Sequence, residues 1–92
     1  MKIEFDPAKR EWTLRERGLD LAEAGRIFDH FRLTDEDQRE DYGEVRLVTL
    51  GVLNGVVVVC VWTRRGEARR IISLRKARKN ERNTYDTSRL RP

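Results

Sequence analysis

The densest apolar run in the chain is Val56-Val57-Val58-Val59-Cys60-Val61-Trp62. Both alternating faces of this run are apolar, so it predicts a central strand covered on both sides. Asn54-Gly55 precedes it, the strongest two-residue hairpin signal, and predicts an antiparallel partner over Val45–Leu53. On the other side Arg64-Arg65-Gly66 reads as a three-residue turn into a strand over Ala68–Ser73, with the β-branched pair Ile71 and Ile72 at its centre. Toward the N-terminus, Met1–Phe5 alternate as a short strand. Asp6 then caps a helix with Pro7 in its first turn, running to Arg17 and stopped by Gly18. Ala8 and Trp12, four apart, are its expected packing stripe. Asp20 and Glu23 have capping-box spacing before a second helix whose apolar face is Leu21, Ala24, Ile27 and Phe28, with His30 just past its end. Phe31–Leu33 reads as an edge strand, and Asp35–Glu44, with six acids, as a mobile loop. From Leu74 the residues favour helix, with Ser73 as cap and Asp86–Pro92 expected to fray. The order β-α-α-(β)-β-β-β-α is that of an α+β domain, an antiparallel meander over residues 45–73 packed with two N-terminal helices and a basic C-terminal one.

At 92 residues the chain makes one domain, residues 1–92, with a single thin core. Its net charge of +4 is unevenly spread. Met1–Thr63 carry nine Lys/Arg against thirteen Asp/Glu, and Arg64–Pro92 carry eleven against three, so a +8 end sits on a −4 body. A basic end of this kind suits a polyanion. Arg75 and Lys76, in the expected first turn of the last helix, would be repelled by the macrodipole unless an anion binds there. No apolar run reaches membrane-spanning length, no signal-peptide pattern opens the chain, and the one cysteine, Cys60, reads as a core residue, which together point to a reducing cytoplasm. One His and one Cys exclude zinc sites and Ser/His or Cys/His nucleophilic catalysis, and the acidic run lacks calcium-loop spacing. No metal or cofactor is expected. An arginine-rich sheet with Tyr and Glu nearby suits charge stabilisation in phosphoryl chemistry, and RNA brings its own nucleophile in the 2′-hydroxyl.

Several short motifs fall in an order that resembles the BrnT family, ribonuclease toxins of toxin–antitoxin modules with a RelE-like fold. They are Phe5-Asp6-Pro7-Ala8-Lys9, Ala24 with Ile27-Phe28-Asp29, Gly43-Glu44-x-Arg46, Gly51, Thr63-x-Arg65-Gly66, Arg70-Ile71-Ile72-Ser73-x-Arg75-Lys76-Ala77, and Glu81-Arg82 followed by Tyr85. The resemblance implies a metal-independent ribonuclease that blocks translation until a ribbon-helix-helix antitoxin neutralises it, with operator DNA reached only through the antitoxin. On this reading Arg46, Arg70 and Arg75 stabilise phosphate charge and Glu44 accepts the proton. Lys9, Arg65, Lys76, Arg78, Lys79, Arg82 and Tyr85 hold the RNA. Lys9 and Tyr85 are alternative acceptors, and each candidate has a plainer role: Glu44 pairing with Arg46, Lys9 solvated, Tyr85 anchoring the last helix. The family usually ends its first helix with Lys-His-Gly, where this chain has Glu16-Arg17-Gly18, and often carries His or Tyr where this chain has Trp62. A non-catalytic RNA- or DNA-binding module and a docking protein for an acidic partner stay open as alternatives. A two-residue loop at Asn54-Gly55 sets Leu47 opposite Trp62 and Arg46 opposite Thr63, and the three-residue turn sets Arg70 opposite Cys60. Arg46 with Arg65 and Arg70 with Arg75 are therefore two expected groups, unless a bulge reverses a face.

Overall fold

The computed structural model describes residues 2–91; the expected strand start at Met1 and chain end at Pro92 lie outside the described residues. Strand β1 (Lys2–Phe5) leads into α1 (Pro7–Arg17), a 3-10 helix (Leu21–Asp29), β2 (Leu33–Glu36), β3 (Leu47–Leu53), β4 (Val56–Arg65), β5 (Ala68–Lys76) and α2 (Lys79–Arg89). The sheet order is β1-β5-β4-β3-β2, which puts the all-apolar strand in the middle as its pattern requires. The sheet is mixed rather than wholly antiparallel, because β1 pairs in parallel with β5. It covers an edge that the meander alone would leave open, and beyond it the Arg17 guanidinium donates to the Leu74 carbonyl (2.9 Å).

Local chemistry accounts for α1 at both ends. Asp6 accepts from the Ala8 amide (3.0 Å), Pro7 opens the first turn, and Gly18 takes φ 67 while its amide donates to Leu14 O. The expected Ala8–Trp12 stripe is not the packed one. Trp12 is 37% exposed, between the Lys9 and Arg17 cations, and Thr13 is the buried residue, its hydroxyl donating to the Lys9 carbonyl. The second helix has 3-10 rather than α geometry, so its buried residues, Leu21, Ala24 and Ile27, recur every third position. Ile27 packs on β3 at Gly51, where an added Cβ would meet the Ile27 Cγ2. Asp20 caps this helix at Ala22 and takes a two-pronged contact from Arg10 (2.7 and 2.9 Å), which ties α1 to it and holds the Asp20 carboxyl below the usual carboxylate range. Glu23 does not complete a capping box; it pairs with Arg26 and accepts from Asn54.

The Asn54-Gly55 turn forms with both residues at positive φ (51 and 79) and sets Leu47 opposite Trp62. Four expectations at element ends change. The edge strand lies at 33–36, not 31–33, and Phe31 packs edge-on against Tyr85 instead. β3 begins at Leu47, since Val45 is exposed and its carbonyl accepts from Thr63. The β4–β5 turn has two residues, Gly66-Glu67, so Arg65 faces Ala68 and Arg70 faces Thr63, not Cys60. The largest correction is at Leu74. The chain stays in strand to Lys76 because Leu74 is fully buried opposite Cys60, and burial with ladder pairing overrides the helix propensity of its neighbours. Arg75 and Lys76 are therefore strand residues, Ser73 caps nothing, and α2 starts at Lys79 and stays helical to Arg89.

Candidate active site

Two shifts in pairing bring the arginines to one side of the sheet. Cross-strand partners share a face. The two-residue turn puts Arg70 with Thr63, and Arg46, one residue before the Leu47–Trp62 pair, falls on the same face. Arg65 is two residues beyond Thr63 and joins them. A bulge follows: Trp62 pairs with Ile71 and Val61 with Ser73, leaving Ile72 as the extra residue. The bulge returns Arg75, five residues after Arg70, to this same face. Even so, that separation is about 16 Å of strand, and the two occupy different clefts.

The first cleft, of about 280 Å3, is lined by Asp6, Lys9, Glu44, Arg46, Arg65, Arg70, Ile71 and Ile72. Lys9 is delivered by the first turns of α1, Arg65 and Arg70 by the β4–β5 hairpin, and Glu44 and Arg46 by the loop before β3. The expected split into two arginine pairs is thus replaced by Arg46, Arg65 and Arg70 together. Glu44 is the bridging acid, 3.6 Å from Arg46 Nε and 3.7 Å from Arg65 Nη2. Both distances exceed hydrogen-bond length. Arg46 Nε is buried with no hydrogen-bond partner among the described residues, and its guanidinium carbon lies 3.9 Å from the centroid of Tyr42. Tyr42, the lone aromatic of the acidic loop, is the site residue that sequence reading missed. Its isolation in a run with nothing else to bury was the available signal.

The second cleft, of about 520 Å3, is larger and carries Arg17, Asp35, Glu36, Asp37, Arg39, Val48, Val61, Ser73 and Arg75 among its lining residues. Two of its three arginines are already matched to acids, and the third, Arg17, donates to the Leu74 carbonyl. Arg39 and Asp37 form a two-pronged pair (2.9 and 2.8 Å) that pulls the Asp37 carboxyl down to about 2. Arg75 does the same with Glu81 (2.8 and 2.9 Å), pulling that carboxyl down to about 2. Three acids and tight internal pairing make this cleft a poor anion site compared with the smaller one.

The expected RNA-binding residues of the C-terminal segment do not line the first cleft. Lys76, Arg78, Lys79 and Arg82 are exposed around the start of α2, and Arg82 also donates to the Ala77 carbonyl. Tyr85 is 2% exposed and donates its hydroxyl to Phe31 O (2.9 Å), so it anchors α2 and offers no surface to a ligand. Trp62, where the family often has His or Tyr, points into the core and donates to Thr49 (2.8 Å). Arg17, in the place of the family's helix-end His, lines the second cleft. Cys60 is fully buried and its thiol is pushed up to about 12 by burial, which leaves it inert. Among the described residues no three His, Cys, Asp or Glu side chains are gathered to hold a metal ion, and no helix is long and apolar enough to cross a membrane.

No curated protein matches the chain. Residues 5–81 match a protein-family model, and that span contains the whole of the first cleft. The chain belongs to the BrnT family, the ribonuclease toxins of type II toxin–antitoxin systems.

Proposed function

We propose that the protein is an endoribonuclease toxin of RelE-like architecture that cleaves RNA in the Lys9–Glu44–Arg46–Arg65–Arg70 cleft through the substrate's own 2′-hydroxyl, without a metal ion. The observation that carries this reading is the contrast between loose and tight arginine pairs. Arg10, Arg39 and Arg75 grip carboxylates with two short contacts each. Arg46 and Arg65 share one acid at 3.6–3.7 Å, and Arg70 makes no side-chain hydrogen bond among the described residues. Underused guanidinium forks converging on a cleft match the oxygens of a phosphoryl group that gains charge during attack. Glu44 accepts the 2′-hydroxyl proton, the 2′-oxygen forms a bond to phosphorus, and the bond to the 5′-oxygen breaks. That oxygen takes a proton from Lys9 or water. The products are a 2′,3′-cyclic phosphate and a 5′-hydroxyl. Arg75, bound to Glu81, fastens β5 to α2 and takes no part in the chemistry.

The family's toxin–antitoxin character brings a protein antitoxin as partner, here expected to be a BrnA-like ribbon-helix-helix protein that reaches operator DNA. Translation falls because RNA is cut, in the cytoplasm, until the antitoxin covers the cleft. Incubating the antitoxin-free protein with RNA in EDTA and mapping the new ends tests the reading. Cyclic or 3′-phosphate with 5′-hydroxyl termini are expected; 5′-phosphate termini, or activity that needs added magnesium, overturn the mechanism. RNA binding with no cleavage at all favours the non-catalytic alternative.

A further inference from the structure

The opposite face of the same hairpin carries a second arginine group. Arg64 and Arg69 are cross-strand partners, each one residue from a cleft residue (Arg65 and Arg70), so they point to the other side of the sheet. Arg32 reaches them from beyond the 3-10 helix. The three guanidinium groups lie over one aromatic pair. Phe28 and Trp62 meet edge to face at 5.2 Å; Arg69 lies 3.8 Å from the Phe28 centroid and 5.3 Å from Trp62, Arg32 lies 5.4 Å from Phe28, and Arg64 lies 5.4 Å from Trp62.

None of the three forms an ion pair with a carboxylate among the described residues, whereas Arg10, Arg26, Arg39 and Arg75 all do. Arg69 Nε is buried without a hydrogen-bond partner among the described residues. Burial lowers the Arg69 pKa first, and Arg32 and Arg64 lower it further against a weaker opposing effect of Asp29. Three cations are thus held together by stacking, with Arg32 also donating to the Phe28 carbonyl (2.9 Å), and their repulsion is only partly offset. A bound polyanion would compensate it, and the stacked planes lose little side-chain freedom on binding.

We propose that Arg32, Arg64 and Arg69 form a second phosphate-binding station for single-stranded RNA, which passes round the β4–β5 hairpin from the cleft to the opposite face. The inference rests on the ribonuclease reading. RNA is favoured over an acidic protein segment because the group continues the cleft across one hairpin, Arg65 and Arg70 having Arg64 and Arg69 as their immediate chain neighbours on the other face. The group is also arginine throughout, and its planar guanidinium forks match phosphate oxygens.

The test measures binding of 2′-O-methyl oligoribonucleotides, which keep every phosphate and remove the nucleophile, to the full chain. One probe has about six nucleotides, enough for the cleft, and the other about twenty. The double variant Arg32→Gln/Arg64→Gln changes two exposed side chains; Arg69→Lys keeps the half-buried charge and removes the stacking plane. Both are checked by melting temperature. For the double variant, affinity for the long probe is expected to fall roughly tenfold and the slope of log K against log salt to flatten by about 1.4, two phosphates' worth. Short-probe affinity and cleavage of a short substrate stay unchanged. Arg69→Lys weakens the long probe alone. Unchanged long-probe affinity and slope in folded variants overturn this inference while wild-type cleavage leaves the ribonuclease reading standing. Loss of antitoxin binding with RNA binding intact assigns the face to a protein and overturns it too. A wild-type chain that neither binds nor cuts RNA overturns both.

Discussion

Replacing Arg75 tests whether a tight arginine–carboxylate pair is structural. Its guanidinium fork meets both oxygens of Glu81 at 2.8 and 2.9 Å, and the same carboxylate accepts from the Arg78 amide (2.7 Å) at the start of α2. The side chains are 31% and 22% exposed, so solvent screens the pair in part. Charge-assisted bonds contribute up to about 3 kcal/mol in protected settings and well under 1 at an open surface, which places this pair at about 1–2 kcal/mol. In a domain of this size that is a fall in Tm on the order of 5–15 °C for Arg75→Ala. The pH dependence has a definite sign. The Glu81 carboxyl falls from 4.5 in its ordinary state to about 2 when folded, so the stabilisation is present above pH 4.5 and is lost as pH falls toward 2. Thermal melts of wild type, Arg75→Ala, Glu81→Gln and the double variant at pH 7 should give single losses that do not add. The gap between wild type and Glu81→Gln should close as pH falls through that window. Single-turnover cleavage, corrected for folded fraction, should be unchanged in Arg75→Ala. A variant that melts like wild type and cuts RNA hundreds of times more slowly would refute the structural assignment and return Arg75 to the chemistry.

Gly51→Ala should destabilise the fold by about 1–3 kcal/mol in denaturant melts, since the new methyl meets Ile27 and the 3-10 helix must lift off β3; wild-type stability would mean that the helix is not seated there. Cys60 should stay unlabelled by a thiol reagent at pH 8 until the chain unfolds, because its thiol is fully buried and pushed up to about 12; rapid labelling of the native protein would contradict its place in the core. Co-expression with a neighbouring-gene antitoxin should give a heteromeric complex on size exclusion, with acidic groups of the partner against the +8 C-terminal third; a lone toxin monomer eluting beside the co-expressed antitoxin would count against that partner.

What could be read from the sequence was what short-range chemistry decides. The Asp6-Pro7 start and Gly18 stop of α1, the Asn54-Gly55 turn, and the central place of Val56–Trp62 each follow from a few adjacent residues. The parts that escaped depend on contacts distant in sequence. Leu74 looks helical beside Arg, Lys and Ala, yet the strand continues through it because Cys60 and Arg17 complete its surroundings. The 3-10 geometry could have been suspected from Leu21, Ala24 and Ile27 alone, but Phe28 makes an α-helical face equally natural. The candidate site was legible in its members and not in its grouping. Glu44, Arg46, Arg65 and Arg70 were all named from the sequence, whereas their meeting in one cleft turns on a two-residue turn where three were counted. The same parity argument shows why Arg75 shares the face but not the cleft: a bulge can reverse a side chain's direction without shortening the strand.

The central claim is that the small arginine cleft, and not the larger one beside it, stabilises the charge of RNA cleavage. Single-turnover cleavage by Arg46→Ala, measured in EDTA beside its melting curve, tests this most directly. Arg46 has a buried Nε without a hydrogen-bond partner among the described residues and a loose acid at 3.6 Å, so its loss removes little folding energy beyond its stacking on Tyr42, about 0.5–1 kcal/mol. The account predicts a melting temperature close to wild type and a cleavage rate lower by roughly two to three orders of magnitude, the loss expected for one donor to a transition-state oxyanion. A folded Arg46→Ala that cleaves at the wild-type rate would contradict it.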